Sequence, residues 1–250
     1  MNAPRAYRIA ILECDTPVPA VVARQGTYGD IFKKFLDRGV AAGGAASVES
    51  HIVTCNVVLG EEYPNLDGLD ALLLTGSKHD SFADEPWILG LLDYVRSAHQ
   101  KGKRMVGICF GHQIICRALG GKVQRSPGGW EVSVCKFDLT DVGQKLLGKK
   151  EMSLHQMHRD AVLELPPNFQ NLGSSDRCAI QGSYLPDQIL TVQAHPEFSD
   201  FIMSEILSMR HAQGIFSDDL YKDASERSTL PHDGDFFSAS VWKFLLEPSP

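Results

Sequence analysis

Apolar positions recur at two different periods along this chain, and the change of period divides it. Residues 7–13 (YRIAILE) form a short, nearly continuous apolar run that reads as a buried strand. After a proline-rich loop, Ile31, Phe32, Phe35, Leu36 and Val40 recur at helical spacing within 27–41. Strand-sized runs return at 48–54 (VESHIVT) and 69–76 (LDALLLTG), the second stopped by Gly76. Trp87, Ile88, Leu91, Leu92, Val95 and Ala98 share one face of a helix predicted over 86–100, and RMVGI at 104–108 reads as the next strand. Such alternation predicts a parallel or mixed central sheet flanked by helices, because parallel neighbours need a crossover long enough to hold a helix.

From about 122 to 193 the texture changes. Short strand-like pieces (VSVCKFDL, MSLHQM, AVLEL, CAIQG, ILTVQA) are separated by Pro-Gly-Gly, Pro-Pro-Asn and Leu-Pro-Asp. Three helical patterns close the chain near 198–212, 217–226 and 236–246, with a polar loop expected over 225–235. There is no internal repeat and no low-complexity tract. The expectation is a single α/β domain over 7–212, with 213–250 as a helical extension packed on it.

Composition narrows the function only slightly. At 43% hydrophobic and 22% charged residues, the 250-residue chain can support a sizeable core. A formal charge of −7 argues against a general phosphate-backbone binder, so no nucleic-acid partner is expected. No apolar stretch approaches the roughly 20 residues of a membrane span, and the first residues lack the pattern of a secretory signal. No membrane partner is expected either. Six cysteines, at 14, 55, 109, 116, 135 and 178, are scattered without a C-x-x-C pair; they read as reduced thiols in a cytoplasmic protein.

Chemistry concentrates at one of them. An apolar strand runs directly into Cys109, an amphipathic helix begins at once, and Gly107 and Gly111 flank the cysteine two residues away on either side. This G-x-C-x-G arrangement is that of a nucleophile elbow, where glycines let strand and helix approach closely. A thiol at a helix amino terminus feels partial positive charge, which favours the thiolate. The N–H of Phe110 would face a developing oxyanion, and the turn Gly76-Ser77-Lys78 could supply a second N–H. A thiolate needs a base and the base an orienting group. Both are available where the run ILTVQA ends in His195-Pro196-Glu197.

Together these segments resemble the signature blocks of class-I glutamine amidotransferases, the triad-type glutaminases. GICFGHQ at 107–113, AHPEF at 194–198 and LTGS at 74–77 match in order and spacing, and the likeness spans roughly 7–212. Weaker matches are Ser153–Asp160, resembling the family's His-x-Asp block, and Gly129–Val132, resembling a pocket loop. The resemblance implies a flavodoxin-like fold with Cys109 as nucleophile, His195 as base and then acid, and Glu197 as its orienter. It implies an oxyanion hole at Gly76 and Phe110, and substrate contacts from Gln113, Ser77, Trp130, His158 and Asp160. The oxyanion turn departs from the Gly-Gly-Pro common in synthetase-linked members, and His79-Asp80-Ser81-Phe82 after it is unfamiliar for a glutamine-only pocket.

Other candidate features have plainer readings. His112 and Cys116, four apart, and the pair His155 and His158 lack a matched second ligand pair, so packing is expected and no metal. The glycine pairs at 43–44, 120–121 and 128–129 fit no phosphate-binding fingerprint, and no cofactor is expected. Lys101, Lys103 and Arg104 read as a solvated helix end.

Three functions compete. The first is a stand-alone γ-glutamyl hydrolase or peptidase acting on glutamine, glutathione or its conjugates, suggested by the altered turn and by the absence of an ATP-pyrophosphatase loop. The second is a glutaminase subunit supplying ammonia to a separate synthetase partner, with 213–250 as a docking element. The third is a non-catalytic, DJ-1-like redox sensor using Cys109, which leaves the His195–Glu197 block without a purpose.

Overall fold

Alternate residues of the same strands face two different apolar clusters, so the central sheet is buried on both sides. The computed structural model describes residues 6–44 and 48–247; residues 1–5 and 248–250, which belong to the expected amino terminus and carboxy-terminal extension, lie outside them. Strand β1 (Tyr7–Glu13) pairs in parallel with β2 (Ser50–Asn56) and with β3 (Ala71–Leu74). β4 (Arg104–Ile108) continues the parallel series beside β3 and pairs on its other edge with β11 (Ile189–Val192). Ile9 and Ile11 of β1 point into a cluster with α2 (Tyr28–Gly39), α6 (Asp200–Ala212) and α8 (Gly234–Leu246). Ala10 and Leu12 point into a second cluster with α3 (Pro86–Gln100) and α4 (Phe110–Ala118). This two-sided burial is why the strands read as continuous apolar runs rather than as an alternation.

The second texture supplies the antiparallel half of the sheet. Beyond β11 come β10 (Gly182–Leu185), β9 (Gln170–Ser174), β6 (Glu131–Leu139) and β7 (Glu151–His158), completing a nine-stranded order β2-β1-β3-β4-β11-β10-β9-β6-β7. A separate hairpin-like pair joins β5 (Lys122–Arg125) to β8 (Asp160–Glu164). The expected single α/β domain with a mixed sheet and flanking helices is the fold observed.

Local differences have local reasons. The proline-rich loop contains a short helix, α1 (Pro19–Gln25), which starts on Pro19, where a missing N–H costs nothing. Helix α5 (Asp141–Leu147), not expected from periodicity, is fixed by its ends: Thr140 accepts from the Gly143 N–H and Gly148 takes a left-handed conformation. The strand expected over CAIQG is largely a connection, with only Gly182 inside β10, and β9 runs through QNLGS, which has little strand character of its own. Its ladder comes from β10 and β6 on either side.

The carboxy-terminal helices are tied into this body. Helix α7 (Asp218–Arg227) packs on β6, where Ser133 Oγ donates to the Ala224 carbonyl and Arg227 donates to the carbonyls of Val132 and Val134. Helix α8 lies against α2, with the indole of Trp242 donating to the Leu36 carbonyl at 2.8 Å. Among the described residues no helix is long and apolar enough to cross a membrane.

Candidate active site

Cys109 sits at the carboxyl end of β4, immediately before α4, with φ 50° and ψ −102°. A non-glycine residue in that conformation is strained and must be held by its surroundings. They do so through the backbone: the Cys109 N–H donates to Val192 of β11, and its carbonyl accepts from the Gln113 N–H. The flanking glycines are sterically required. A Cβ on Gly107 would fall 2.7 Å from the backbone of Gly111, and one on Gly111 would fall 2.4 Å from the Leu74 carbonyl oxygen. Strand, elbow and the turn after β3 therefore approach as closely as backbones can, and the Gly111 N–H donates to the Thr75 carbonyl across that contact. Phe110, the first residue of α4, has a backbone N–H in the turn where a helix leaves such groups without intrahelical acceptors.

His195 follows β11 by three residues and is held from three directions. Its N–H donates to the His155 carbonyl of β7, its ring stacks on Phe198 at 4.1 Å between centroids, and Gly76 lies against the opposite part of the ring. A Cβ on Gly76 would meet His195 Cε1 at 2.6 Å. Nδ1 is 2.8 Å from Glu197 Oε1. Burial works against a charged ring here, but the charges of Cys109 and Glu197, together with hydrogen bonds to both, push His195 up to about 10. The three residues expected as a triad are thus brought together at the sheet edge where β4 and β11 end.

A cavity of about 190 Å³ opens over Cys109 and is lined by all five residues expected to contact substrate: Ser77, Gln113, Trp130, His158 and Asp160. Two of them have less to offer a ligand than expected. Both amide hydrogens of Gln113 are committed, to the Asp160 carbonyl at 2.9 Å and to Gln193 Oε1 at 3.0 Å, and its Oε1 accepts from Ser81. Both ring nitrogens of His158 are engaged, one by Glu131 Oε2 at 3.0 Å and the other by the Asp160 carbonyl at 3.1 Å. These side chains shape the wall rather than present free donors. Glu131, which burial alone would raise, is held below the usual carboxylate range by His158, Ser175 and Gln181. Asp160 pairs with Arg125, which also reaches Asp80. Burial still leaves Asp160 above the usual range, with Arg125 opposing it.

Several site residues carry no sequence signal of their own. Gln193 donates to Cys109 Sγ at 3.5 Å, ending a chain that runs Ser81 to Gln113 to Gln193 to the thiol. Asp15, two residues beyond β1, anchors the turn at Gly76–Lys78 by accepting from the Lys78 N–H and the Lys78 ammonium, both at 2.8 Å. Arg159 and Arg210 lie over the Trp130 ring, at 5.3 and 4.9 Å from its centroid. These residues are far apart in sequence and meet only through the topology. By contrast, His112 and Cys116 face the interior and hydrogen-bond to Thr191 and Ser183. Burial, and then the charge of His158, pull His112 down to about 3.

A family model described as glutamine amidotransferase class-I matches residues 28–207. The chain belongs to the class-I glutamine amidotransferase family. A glutamine amidotransferase-like protein of Schizosaccharomyces pombe is 36% identical over 252 residues, covering 96% of this chain and 99% of that one. Gamma-glutamyl peptidase 2 of Arabidopsis thaliana is 32% identical over 176 residues, covering 68% of this chain and 71% of that one. Among solved structures, a glutamine amidotransferase from Thermotoga maritima superposes with a TM-score of 0.73 at 15% identity, covering 98% of this chain and all of that one. One from Methylobacillus flagellatus gives 0.72 at 19% identity, with 98% of each chain covered. At those identities the likeness speaks for the fold alone.

Proposed function

We propose that this protein is a stand-alone hydrolase of γ-glutamyl amide bonds, with Cys109, His195 and Glu197 as its catalytic triad. The observation that carries this reading is the strained Cys109 at the start of α4, set beside a buried His195–Glu197 pair at the same sheet edge. The Cys109 thiolate attacks the δ-carbonyl carbon of a γ-glutamyl group, and the oxyanion is held by the N–H groups of Phe110 and Gly76. The C–N bond breaks as His195 gives its proton to the leaving amine, leaving a γ-glutamyl thioester. Water, giving a proton to His195, then attacks the thioester; the C–S bond breaks and glutamate departs. Glu197 keeps the imidazole oriented and favours its charged form. The name of the Arabidopsis relative supports a peptide substrate, as does the departure of the oxyanion turn from Gly-Gly-Pro.

Glutamate release from glutamine, glutathione, a glutathione S-conjugate and γ-glutamyl dipeptides, with Cys109→Ala as control, tests the proposal. Preference for the peptides, abolished in the variant, is the expected result. Turnover of glutamine alone, or only after adding cell extract, would instead identify an ammonia-donating subunit.

A further inference from the structure

Two cavities flank the catalytic pair. The one over Cys109 holds paired charges, including Arg125 with Asp160 and Asp80, and suits the zwitterionic head of a glutamyl group. The other, of about 300 Å³, is lined by His195. It has room for about ten waters' share of liquid volume, enough for a large side chain. Ser77, Lys78, Met157 and Arg210 line both, so the two meet over the oxyanion turn.

The chemistry of the reaction gives this second space its role. A leaving amine must face the acid that protonates it, and that acid is His195. The group attached to the amine therefore enters the cavity that His195 lines. Its walls are largely apolar: Pro17 and Val18 before α1, Tyr28 of α2, Phe198, and Ile206 and Met209 of α6. Water alone would be poorly satisfied there, whereas an apolar side chain would release it.

Arg210 stands at the junction. Lys78 is paired with Asp15, and Arg125 with Asp80 and Asp160, but among the described residues no carboxylate pairs with Arg210. Its Nε is buried and, among the described residues, has no hydrogen-bond partner, its guanidinium rests on Trp130, and the side chain lines both cavities. A planar fork held by an aromatic face, lining a cavity and unpaired with any carboxylate of the described residues, is suited to a carboxylate from outside the protein. Resting on the hydrolase reading above, we propose that the second cavity is the leaving-group subsite. It takes an amino acid with a bulky apolar side chain, whose free α-carboxylate is held by Arg210.

The test compares kcat/KM for γ-glutamyl-leucine, γ-glutamyl-leucine carboxamide and γ-glutamyl-glycine, in the wild-type chain and in Arg210→Gln and Arg210→Lys. The wild type should prefer γ-glutamyl-leucine to its carboxamide by about 10- to 100-fold, the worth of hydrogen bonds to a charged group. It should also prefer leucine to glycine. Arg210→Gln should bring the carboxylate-to-carboxamide ratio close to one, and Arg210→Lys should retain part of it. Each ratio is measured on one preparation, so partial loss of folded protein cancels. A wild-type ratio near one, or a ratio unchanged in Arg210→Gln, would overturn the subsite while leaving the hydrolase standing. No Cys109-dependent turnover of these three, with glutamine or glutathione still turned over, would also overturn the subsite; loss on glutamine and glutathione as well would remove the hydrolase reading itself.

Discussion

His195 Nδ1 lies 2.8 Å from Glu197 Oε1, although only Pro196 separates the two residues along the chain. Both side chains are almost wholly buried, and among the described residues the second carboxylate oxygen of Glu197 has no hydrogen-bond partner. Its charge is therefore directed at the imidazole and at little else. Glu197→Gln keeps the shape but removes that charge and allows the wrong ring tautomer. The expected result is a fall in kcat of about 10³- to 10⁴-fold in steady-state glutamate release by protein whose circular dichroism is native. A loss under tenfold would mean that Glu197 does not orient the base.

Gly76→Ala tests the contact between the turn at Gly76 and the His195 ring. The added methyl would stand 2.6 Å from His195 Cε1, and the turn is anchored through Lys78 to Asp15, so the ring must move. A displacement of that size should lower kcat by about 100-fold while circular dichroism stays native. Wild-type kinetics in Gly76→Ala would show that the ring tolerates the shift.

The raised value of His195 has a consequence for stability. Its folded value of about 10 lies above the ordinary 6.5, so between those values the folded chain keeps a proton that the unfolded chain has released. This contribution is complete below about pH 6.5 and is lost as pH rises through about 10. Melting temperatures of wild type and His195→Gln, measured from pH 6 to 10, should show the wild type's relative advantage shrinking as pH rises. A constant difference would contradict the charged imidazole.

Gln193 donates to the Cys109 sulfur at the end of the chain from Ser81 through Gln113. Gln193→Leu removes both the donor to the sulfur and the acceptor that holds the Gln113 amide, so glutamate release should fall by about tenfold. Wild-type kinetics in Gln193→Leu would reduce Gln193 to a packing residue.

Trp242 ties α8 to α2, fully buried and bonded to the Leu36 carbonyl. Trp242→Ala should cost about 3–5 kcal/mol in denaturant unfolding and preserve a single cooperative transition. A small cost, or a separate early transition, would show that α8 folds apart from the rest.

The local instructions were legible along the chain. Gly107 and Gly111 mark a place where only hydrogen fits, His195-Pro196-Glu197 sets an imidazole and a carboxylate within three residues, and the apolar runs of β1, β3 and β4 announce strands buried on both faces. Each signal depends on neighbours close in sequence, which is why it could be read there. The substrate wall was harder. Gln113 and His158 have the residue types of ligand contacts, but their hydrogen-bonding groups are taken up by Gln193, Glu131 and the Asp160 carbonyl, and except for the bond from His158 to Asp160 these span 27 to 80 positions. Asp15, Arg159 and Arg210 have no motif at all. Their meeting depends on β1, β8 and α6 converging at one sheet edge, and α5 and β9 likewise owe their form to caps and ladder partners rather than to periodicity. Sequence by itself determined the tight turn at Cys109, the closeness of His195 to Glu197 and the parallel half of the sheet, because steric limits and apolar period act locally. Only the tertiary structure decided which polar groups remain unpaired around the sulfur, because pairing is set by distance in space.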